Sequence, residues 1–250
     1  MQITPVVKQL LIINIIFFIG SQIVGPTAYE IFSMYNVENP HFQIWQIVTN
    51  MFMHAPLPNI AHIAFNMFAL YSFGSALEHF WGGQKFLFFY ISCGIGASLL
   101  HLGINYYEFQ HGLSALLSQG YSHQEVMAVL QGKPNNELVG IINSNYQDFA
   151  SSYFGTVVGA SGAIYGLMVA FAFMFPNAQL ALMFIPIPIK AKYFVSGLIF
   201  LDLILGLKGS SIFGSGGTGI AHFAHIGGAL IGFIMMWYWK KNQFSNNRWN

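Results

Sequence analysis

Two segments of the sequence carry residues that together could perform acyl transfer. One is 159–166, GASGAIYG, in which Ser161 stands between small residues that leave its hydroxyl sterically accessible. The other is 221–232, AHFAHIGGALIG, which contributes His225. A serine hydroxyl becomes a nucleophile when a neighbouring base takes its proton. The sequence therefore predicts Ser161 as a nucleophile and His225 as its base.

Small residues recur at every fourth position beside both candidates. They are Gly162 and Gly166 after the serine, and Ala224, Gly228 and Gly232 around the histidine. Such patterns let two helix backbones approach closely in a membrane. If the two patterns face each other, the imidazole of His225 reaches Ser161. The alternative is that Ser161 only caps a helix and that the glycines serve packing alone.

A third segment, 54–66, offers two hydrogen-bond donors. His62 and Asn66 are one helical turn apart, so they lie on the same helix face. Placed beside Ser161, they could stabilise the anion of a tetrahedral intermediate together with the free backbone N–H groups that begin the serine helix. The pair could instead be a buried polar contact between two helices.

The histidines also raise the question of a metal site. Four of them could act as ligands: His54, His62, His222 and His225. However, the His-Glu-x-x-His pattern of membrane metalloproteases is absent, and no carboxylate lies close to them in the sequence. We therefore expect no metal and no other cofactor.

The other polar residues of the apolar segments suggest supporting roles. Asp202 is the only acid in its segment, whereas an aspartyl intramembrane protease needs two, so we expect it to orient a neighbour or to pair with Lys208. Glu78 is expected to serve the inner end of its helix similarly. His222 is expected to bind a backbone carbonyl. Tyr165 either packs on His225 or is a plain core aromatic.

These residues must be positioned by membrane helices. Hydrophobic residues form 55% of the 250-residue chain and charged residues only 7%, which excludes a water-soluble surface. Six apolar segments have about the length that crosses a bilayer. They are 9–27, 60–77, 84–105, 159–176, 191–207 and 221–239. The sequence thus predicts an all-α, polytopic membrane protein with six spans in a single domain.

The basic residues predict the orientation of this bundle, because Lys and Arg beside short loops stay in the cytoplasm. With the N-terminus inside, seven of the nine basic residues fall inside and only Lys133 and Lys208 fall outside. Both termini are then cytoplasmic, and the three candidate segments lie at exterior helix ends. The exterior also receives a polar insertion over about 106–153. A capping box at Ser122 and Glu125 predicts one helix there, and 136–142 a second.

The three motifs together resemble the rhomboid family of intramembrane proteases, over nearly the whole chain except the insertion. The family's Gly-x-Ser-Gly segment matches 159–162, its Ala-His-x-x-Gly segment matches 224–228, and its His-x-x-x-Asn pair matches His62 and Asn66. Tyr165 matches a tyrosine that stacks on the catalytic histidine. One departure is Trp45-Gln46 in the first exterior loop, where many members have Trp-Arg.

The resemblance implies a six-helix bundle and a catalytic dyad of Ser161 and His225 without an acid. It implies an oxyanion hole formed by His62, Asn66 and the Ser161 backbone N–H, in a water-filled cavity that opens to the exterior. We expect Gly159, Gly162, Tyr165, His222 and Gly228 to support this site. The glycine-rich segment 208–219 is a candidate mobile cap over it.

The function expected on this basis is a serine endopeptidase that cleaves single-pass transmembrane proteins near their exterior membrane boundary. The partners expected are these substrates and the lipid bilayer, with no nucleic acid. A prokaryotic plasma membrane is the expected location. One alternative is a catalytically inactive rhomboid-like protein that binds transmembrane clients. Another is a solute transporter, which the lack of inverted repeats disfavours.

Overall fold

Over the residues that the structure describes, the protein is an assembly of helices with one short hairpin. The computed structural model describes residues 2–182, 185–208 and 220–243. In this part of the chain the α-helices are α1 Pro5–Val24, α2 Pro26–Phe32, α3 Gln46–Thr49, α4 Ile60–Ala69, α5 Ser75–Trp81, α6 Gly83–Ser118, α7 His123–Leu130, α8 Asn136–Asn145, α9 Gln147–Phe154, α10 Ser161–Met174, α11 Ala191–Lys208 and α12 Ile220–Gln243. A π turn, Leu70–Gly74, joins α4 to α5, so that these helices form one rod.

Each of the six predicted spans coincides with a helix or with this rod. Among the described helices, three are long and apolar enough to cross a membrane, namely Pro5–Val24, Ile60–Trp81 and Gly83–Ser118. The helix α10 is apolar but has only 14 residues. The helical membrane bundle is therefore confirmed, whereas the count of six spans stays a prediction.

The centre of the bundle is formed by α6, α10 and α12. Cys93 of α6 is buried against α10, where a β carbon added at Gly166 would lie 2.4 Å from its Sγ atom. Large side chains close the core near the N-terminal end of α6, where Phe89 packs on Trp239 with ring centroids 5.6 Å apart. Small residues near the site and aromatic residues away from it thus set the spacing of the three helices.

Glu78 has the structural role that the sequence predicts. Its side chain accepts hydrogen bonds from the Thr4 hydroxyl at 2.5 Å, from the Val6 backbone N–H at 2.9 Å and from the Val7 backbone N–H at 2.8 Å. The carboxylate therefore satisfies N–H groups that the first turn of α1 leaves without helical partners. Its negative charge also suits the N-terminal end of the α1 dipole.

The α6 helix is longer than a membrane requires. Its 36 residues span about 54 Å, against roughly 30 Å for a hydrocarbon core. The C-terminal end of α6 packs with α7–α9 around a second apolar cluster. Its buried members are Phe109, Leu113, Leu116, Val126, Leu130, Leu138, Ile142, Phe149 and Tyr153. The polar segment 106–153 is therefore a folded helical layer.

The predicted helices of this layer are confirmed, and a third is added. At the start of α7, the Glu125 backbone N–H donates to the Ser122 hydroxyl at 3.2 Å, and the Ser122 backbone N–H donates to the Glu125 carboxylate at 2.8 Å. The α8 helix begins after Asn135, whose side chain accepts the Leu138 N–H at 3.1 Å. The sequence analysis missed α9, which has no side-chain cap.

The predicted all-α class omits one element. Strands β1 Gln179–Leu182 and β2 Ile185–Lys190 pair antiparallel between α10 and α11, with Gln179 opposite Lys190. The sequence of β2 is IPIPIK, and proline inside a helix removes a backbone donor and clashes with the preceding turn. In a two-stranded sheet both strands are edges, where proline is tolerated.

Gln46 organises the segment that connects α2 to α4, where it follows Trp45 in place of the family's arginine. Its side chain is fully buried. The Oε1 atom accepts the backbone N–H groups of Tyr35 and Gln43, and the Nε2 group donates to the carbonyls of Glu30, Ile31 and His41. The Gln46 amide, which both donates and accepts, thus fixes the backbone of this segment against the end of α2.

Gln46→Ala is expected to lower the free energy of unfolding by about 2–3 kcal/mol, because the buried backbone groups lose their partner. In a thermal unfolding scan in detergent, this loss corresponds to a midpoint roughly 5–10 °C lower. The matched control is Gln147→Ala, which removes an exposed amide that donates to the carbonyl of Asn143. Equal midpoints for both variants would contradict the organising role of Gln46.

Candidate active site

Ser161 is the first residue of α10, and a glycine turn leads into it. Gly159 has φ of +131°, which L side chains rarely adopt, and its N–H donates to the Asn50 carbonyl at 2.9 Å. A β carbon at this position would lie 3.0 Å from His62 Nε2. Glycine therefore serves both the turn and the close approach of the His62 ring to the segment that carries the serine.

The structure brings His225 of α12 to this serine. His225 Nε2 lies 2.8 Å from Ser161 Oγ, which is hydrogen-bonding distance. The Tyr165 ring, one turn along α10, stacks on the imidazole with centroids 4.3 Å apart and an angle of 7° between the planes. The first of the two expectations for Tyr165 is thus the one observed. The stacked ring restricts how the imidazole can turn relative to the serine.

The two small-residue patterns face each other, which is why the side chains meet. A β carbon at Gly228 would lie 1.8 Å from the Gly162 carbonyl oxygen, and one at Gly232 would lie 2.8 Å from the Gly166 Cα atom. The backbones of α10 and α12 are therefore in direct contact. Only glycine fits at Gly228, because the opposing atoms belong to the backbone and cannot rotate away.

His62 and Asn66 both lie on α4, as the sequence predicts. The Ala55 backbone N–H donates to His62 Nδ1 at 3.0 Å, so a neutral His62 carries its proton on Nε2, which is the atom nearest Gly159. Asn66 is buried, and its Nδ2 group donates one hydrogen to the His62 carbonyl at 2.8 Å. The second amide hydrogen of Asn66 remains available for a further acceptor.

His54 lies behind His62. Its ring is completely buried, with its centroid 5.3 Å from that of His62. Burial, and to a smaller extent the neighbouring His62, lower the pKa of His54 to about 4. His54 is therefore neutral at physiological pH and adds no positive charge to this side of the site.

An acid that the sequence analysis did not assign to the site lies beside the two histidines of α12. Asp202 of α11 is only 5% exposed. Its Oδ1 atom makes a short hydrogen bond with His222 Nδ1 and lies 3.3 Å from His225 Nδ1. Of the two roles expected for Asp202, orienting a neighbour or pairing with Lys208, these contacts correspond to the first. For His222, where a backbone carbonyl is the expected partner, the structure shows this carboxylate as a partner of Nδ1.

The reason for the omission is that sequence distance hides the contact. Asp202 and His225 are 23 residues apart, on different helices, and 209–219 between them lie outside the described residues. The predicted mobile cap falls on that segment. The available signal was the acid itself, because an ionisable residue in a membrane segment is costly and marks a functional candidate.

These contacts also bear on metal binding. Within the described residues, Asp202, His222 and His225 place their ligand atoms within 4.8 Å of one another, whereas His54 and His62 do not join the group. Asp-His-His is a donor set that zinc accepts. Here both Nδ1 atoms lie within hydrogen-bond reach of the same carboxylate oxygen, so hydrogen bonds alone account for the arrangement.

Chemically, the site combines a hydroxyl, a base and a carboxylate. The His225 side chain is 24% exposed, so the imidazole is not sealed inside the core. The first backbone N–H groups of α10 have no helical partners and carry partial positive charge. A hydroxyl beside a base, with N–H donors for an oxyanion, is the arrangement that acyl transfer through a serine ester requires.

Comparison with known proteins agrees with this chemistry. The Rhomboid domain family matches residues 41–124 and 125–242. Rhomboid protease AarA of Providencia stuartii is 28% identical over 76% of this chain and 54% of its own length. Rhomboid protein 1, mitochondrial, of Saccharomyces cerevisiae is 26% identical over 72% of this chain and 38% of its own. Rhomboid protease GluP of Bacillus subtilis is 30% identical over 54% of this chain and 27% of its own.

The chain thus spans about half or less of the length of these relatives. Mitochondrial proteins stand beside Providencia and Bacillus proteins among them, so they do not support the expected prokaryotic membrane over a mitochondrial one. What the apolar helices support is an integral membrane protein. Since the Rhomboid domain match covers well over half of the sequence, the chain belongs to the rhomboid family.

Proposed function

We propose that the protein is an intramembrane serine endopeptidase in which Ser161 is the nucleophile and His225 the general base. The observation that carries this proposal is the 2.8 Å approach of His225 Nε2 to Ser161 Oγ, with the imidazole held by Tyr165. Two of the relatives, AarA and GluP, are named as proteases.

In the proposed reaction, Ser161 Oγ attacks the scissile carbonyl carbon while its proton moves to His225 Nε2. The proton then passes to the leaving amine, and water resolves the acyl-enzyme by the reverse sequence. The oxyanion accepts hydrogen bonds from the Ser161 backbone N–H, from His62 Nε2 and from the free hydrogen of Asn66. Each such donor is worth roughly 3–4 kcal/mol in serine hydrolases.

The proposed substrates are single-pass transmembrane proteins. This substrate class is supported by the position of Ser161 and His225, which lie on two helices of the apolar bundle. A substrate that is itself in the bilayer, or at its surface, reaches these residues most easily. We propose cleavage near the exterior membrane boundary, with both termini of the protein in the cytoplasm. The unequal distribution of basic residues supports this orientation.

The test is reaction of the purified protein with a fluorophosphonate probe, followed by peptide mapping of the adduct. We expect a single adduct on Ser161, and we expect pre-labelling to block cleavage of a single-pass substrate in liposomes. Failure to form an adduct, together with substrate binding that leads to no product, would favour the client-binding alternative.

A further inference from the structure

Asp202 is a buried carboxylate that the proposed dyad does not use. It lies on α11 and reaches across to α12, where it contacts both histidines. Desolvating an ionised carboxylate costs several kcal/mol unless hydrogen bonds or charges compensate. Two imidazole Nδ1 groups contact the Oδ1 atom, whereas the buried Oδ2 atom has no hydrogen-bond partner among the described residues. One of the two imidazoles belongs to the residue that faces Ser161.

The direction of these hydrogen bonds fixes the state of His225. A carboxylate can only accept, so the proton of a neutral His225 lies on Nδ1 and the lone pair lies on Nε2. Nε2 is the atom 2.8 Å from Ser161 Oγ. In this tautomer the imidazole can take the serine proton, whereas in the other tautomer it cannot.

His222 holds the same carboxylate from the second side. Its Nδ1 atom makes the shorter of the two contacts to Asp202 Oδ1. The two rings are nearly perpendicular, at 83°, with centroids 6.2 Å apart. His222 therefore restrains the rotation of Asp202.

We propose that Asp202 is a positioning residue on α11 that completes a Ser161–His225–Asp202 triad, with His222 holding the carboxylate in place. This inference rests on the proposed function. When Ser161 Oγ bonds to the carbonyl carbon, its proton moves to Nε2 and the imidazolium retains its Nδ1 proton. Asp202 stays ionised throughout and stabilises that cation; the proton leaves with the amine as the C–N bond breaks. No group other than substrate and water is consumed.

The proposal is tested by comparing Asp202→Asn with Glu78→Gln. Both acids are 5% exposed, and both changes turn a carboxylate into an amide, but Glu78 only caps α1. We expect Asp202→Asn to lower kcat for a single-pass substrate, and the rate of fluorophosphonate labelling, by roughly 10- to 100-fold with KM within about twofold. That is less than the roughly 10⁴-fold effect of the same change in a soluble protease, because the contact is long. Glu78→Gln should lower the thermal midpoint and leave labelling per folded molecule unchanged.

Two further measurements keep the outcome unambiguous. Asp202→Glu restores the charge and should be at least about fivefold faster than Asp202→Asn; if the asparagine variant does not fold, Asp202→Ser replaces it.

A chelator should leave the wild-type rate unchanged, and a loss of activity with chelator would overturn the proposal in favour of a metal at this cluster. Wild-type rates in Asp202→Asn would also overturn it. By contrast, a wild type in which Ser161 takes no label defeats the proposed function itself.

Discussion

Ser161→Ala is expected to abolish fluorophosphonate labelling and to reduce cleavage of a single-pass substrate to background. His225→Ala should lower both by roughly 10⁴-fold or more, because a serine hydroxyl without a base is a poor nucleophile at neutral pH. The 2.8 Å contact between the two side chains makes them one unit rather than two independent contributors. The measurements are the second-order labelling rate and the initial rate of cleavage in liposomes.

The unit is tested most sharply by the double variant. If Ser161 and His225 act together, replacing both should cost no more than replacing either alone, since the first change already removes the shared step. The control is His111→Ala, which alters an exposed histidine on the C-terminal part of α6 and should leave both rates unchanged. Losses that multiply in the double variant, or cleavage that persists in Ser161→Ala, would contradict the assignment.

The serine and the histidine could be predicted because the information that places them is local. Ser161 and His225 each lie in a helix with small residues at every fourth position, and helical periodicity alone puts those residues beside the side chain. The structure brings the two patterns into contact at Gly162 and Gly228. The sequence could not supply the distance between the helices, which depends on everything else that packs around them.

Asp202 could not be assigned to the site, because no local sequence pattern places it there. Nothing near it in the sequence points to α12, and its direction on α11 depends on how that helix packs. The role of Gln46 was equally hidden, because its amide bonds backbone groups of Glu30 in α2 and of Tyr35, His41 and Gln43 in the segment that follows. The hairpin was missed because an apolar run with proline has no clear period. In each of these cases the structure or role depends on tertiary contacts, which the local sequence pattern does not specify.

Gly228→Ala is expected to have the largest effect of any substitution outside the reacting groups. The added methyl would lie 1.8 Å from the Gly162 carbonyl oxygen and 2.6 Å from the Gly162 carbonyl carbon, both backbone atoms. Relief of this clash requires α10 and α12 to separate by more than an ångström, which moves His225 out of hydrogen-bonding distance of Ser161. A displacement of about 1 Å can cost roughly 10²-fold in rate, so we expect at least that loss in labelling.

The matched control is Gly103→Ala on α6. It makes the same chemical change in another helix, but its β carbon would meet nothing within 4 Å. Because alanine favours a helix over glycine by about 1 kcal/mol, Gly103→Ala should keep the wild-type labelling rate and show an equal or higher thermal midpoint.

The readout must separate misplacement from unfolding, so labelling is measured per folded molecule below the thermal midpoint of each variant. A folded Gly228→Ala protein with weak labelling would mean that the contact between α10 and α12 sets the catalytic distance. A folded variant with wild-type labelling would mean that the Ser161–His225 distance is controlled elsewhere, and the role given to the facing glycines would then be wrong.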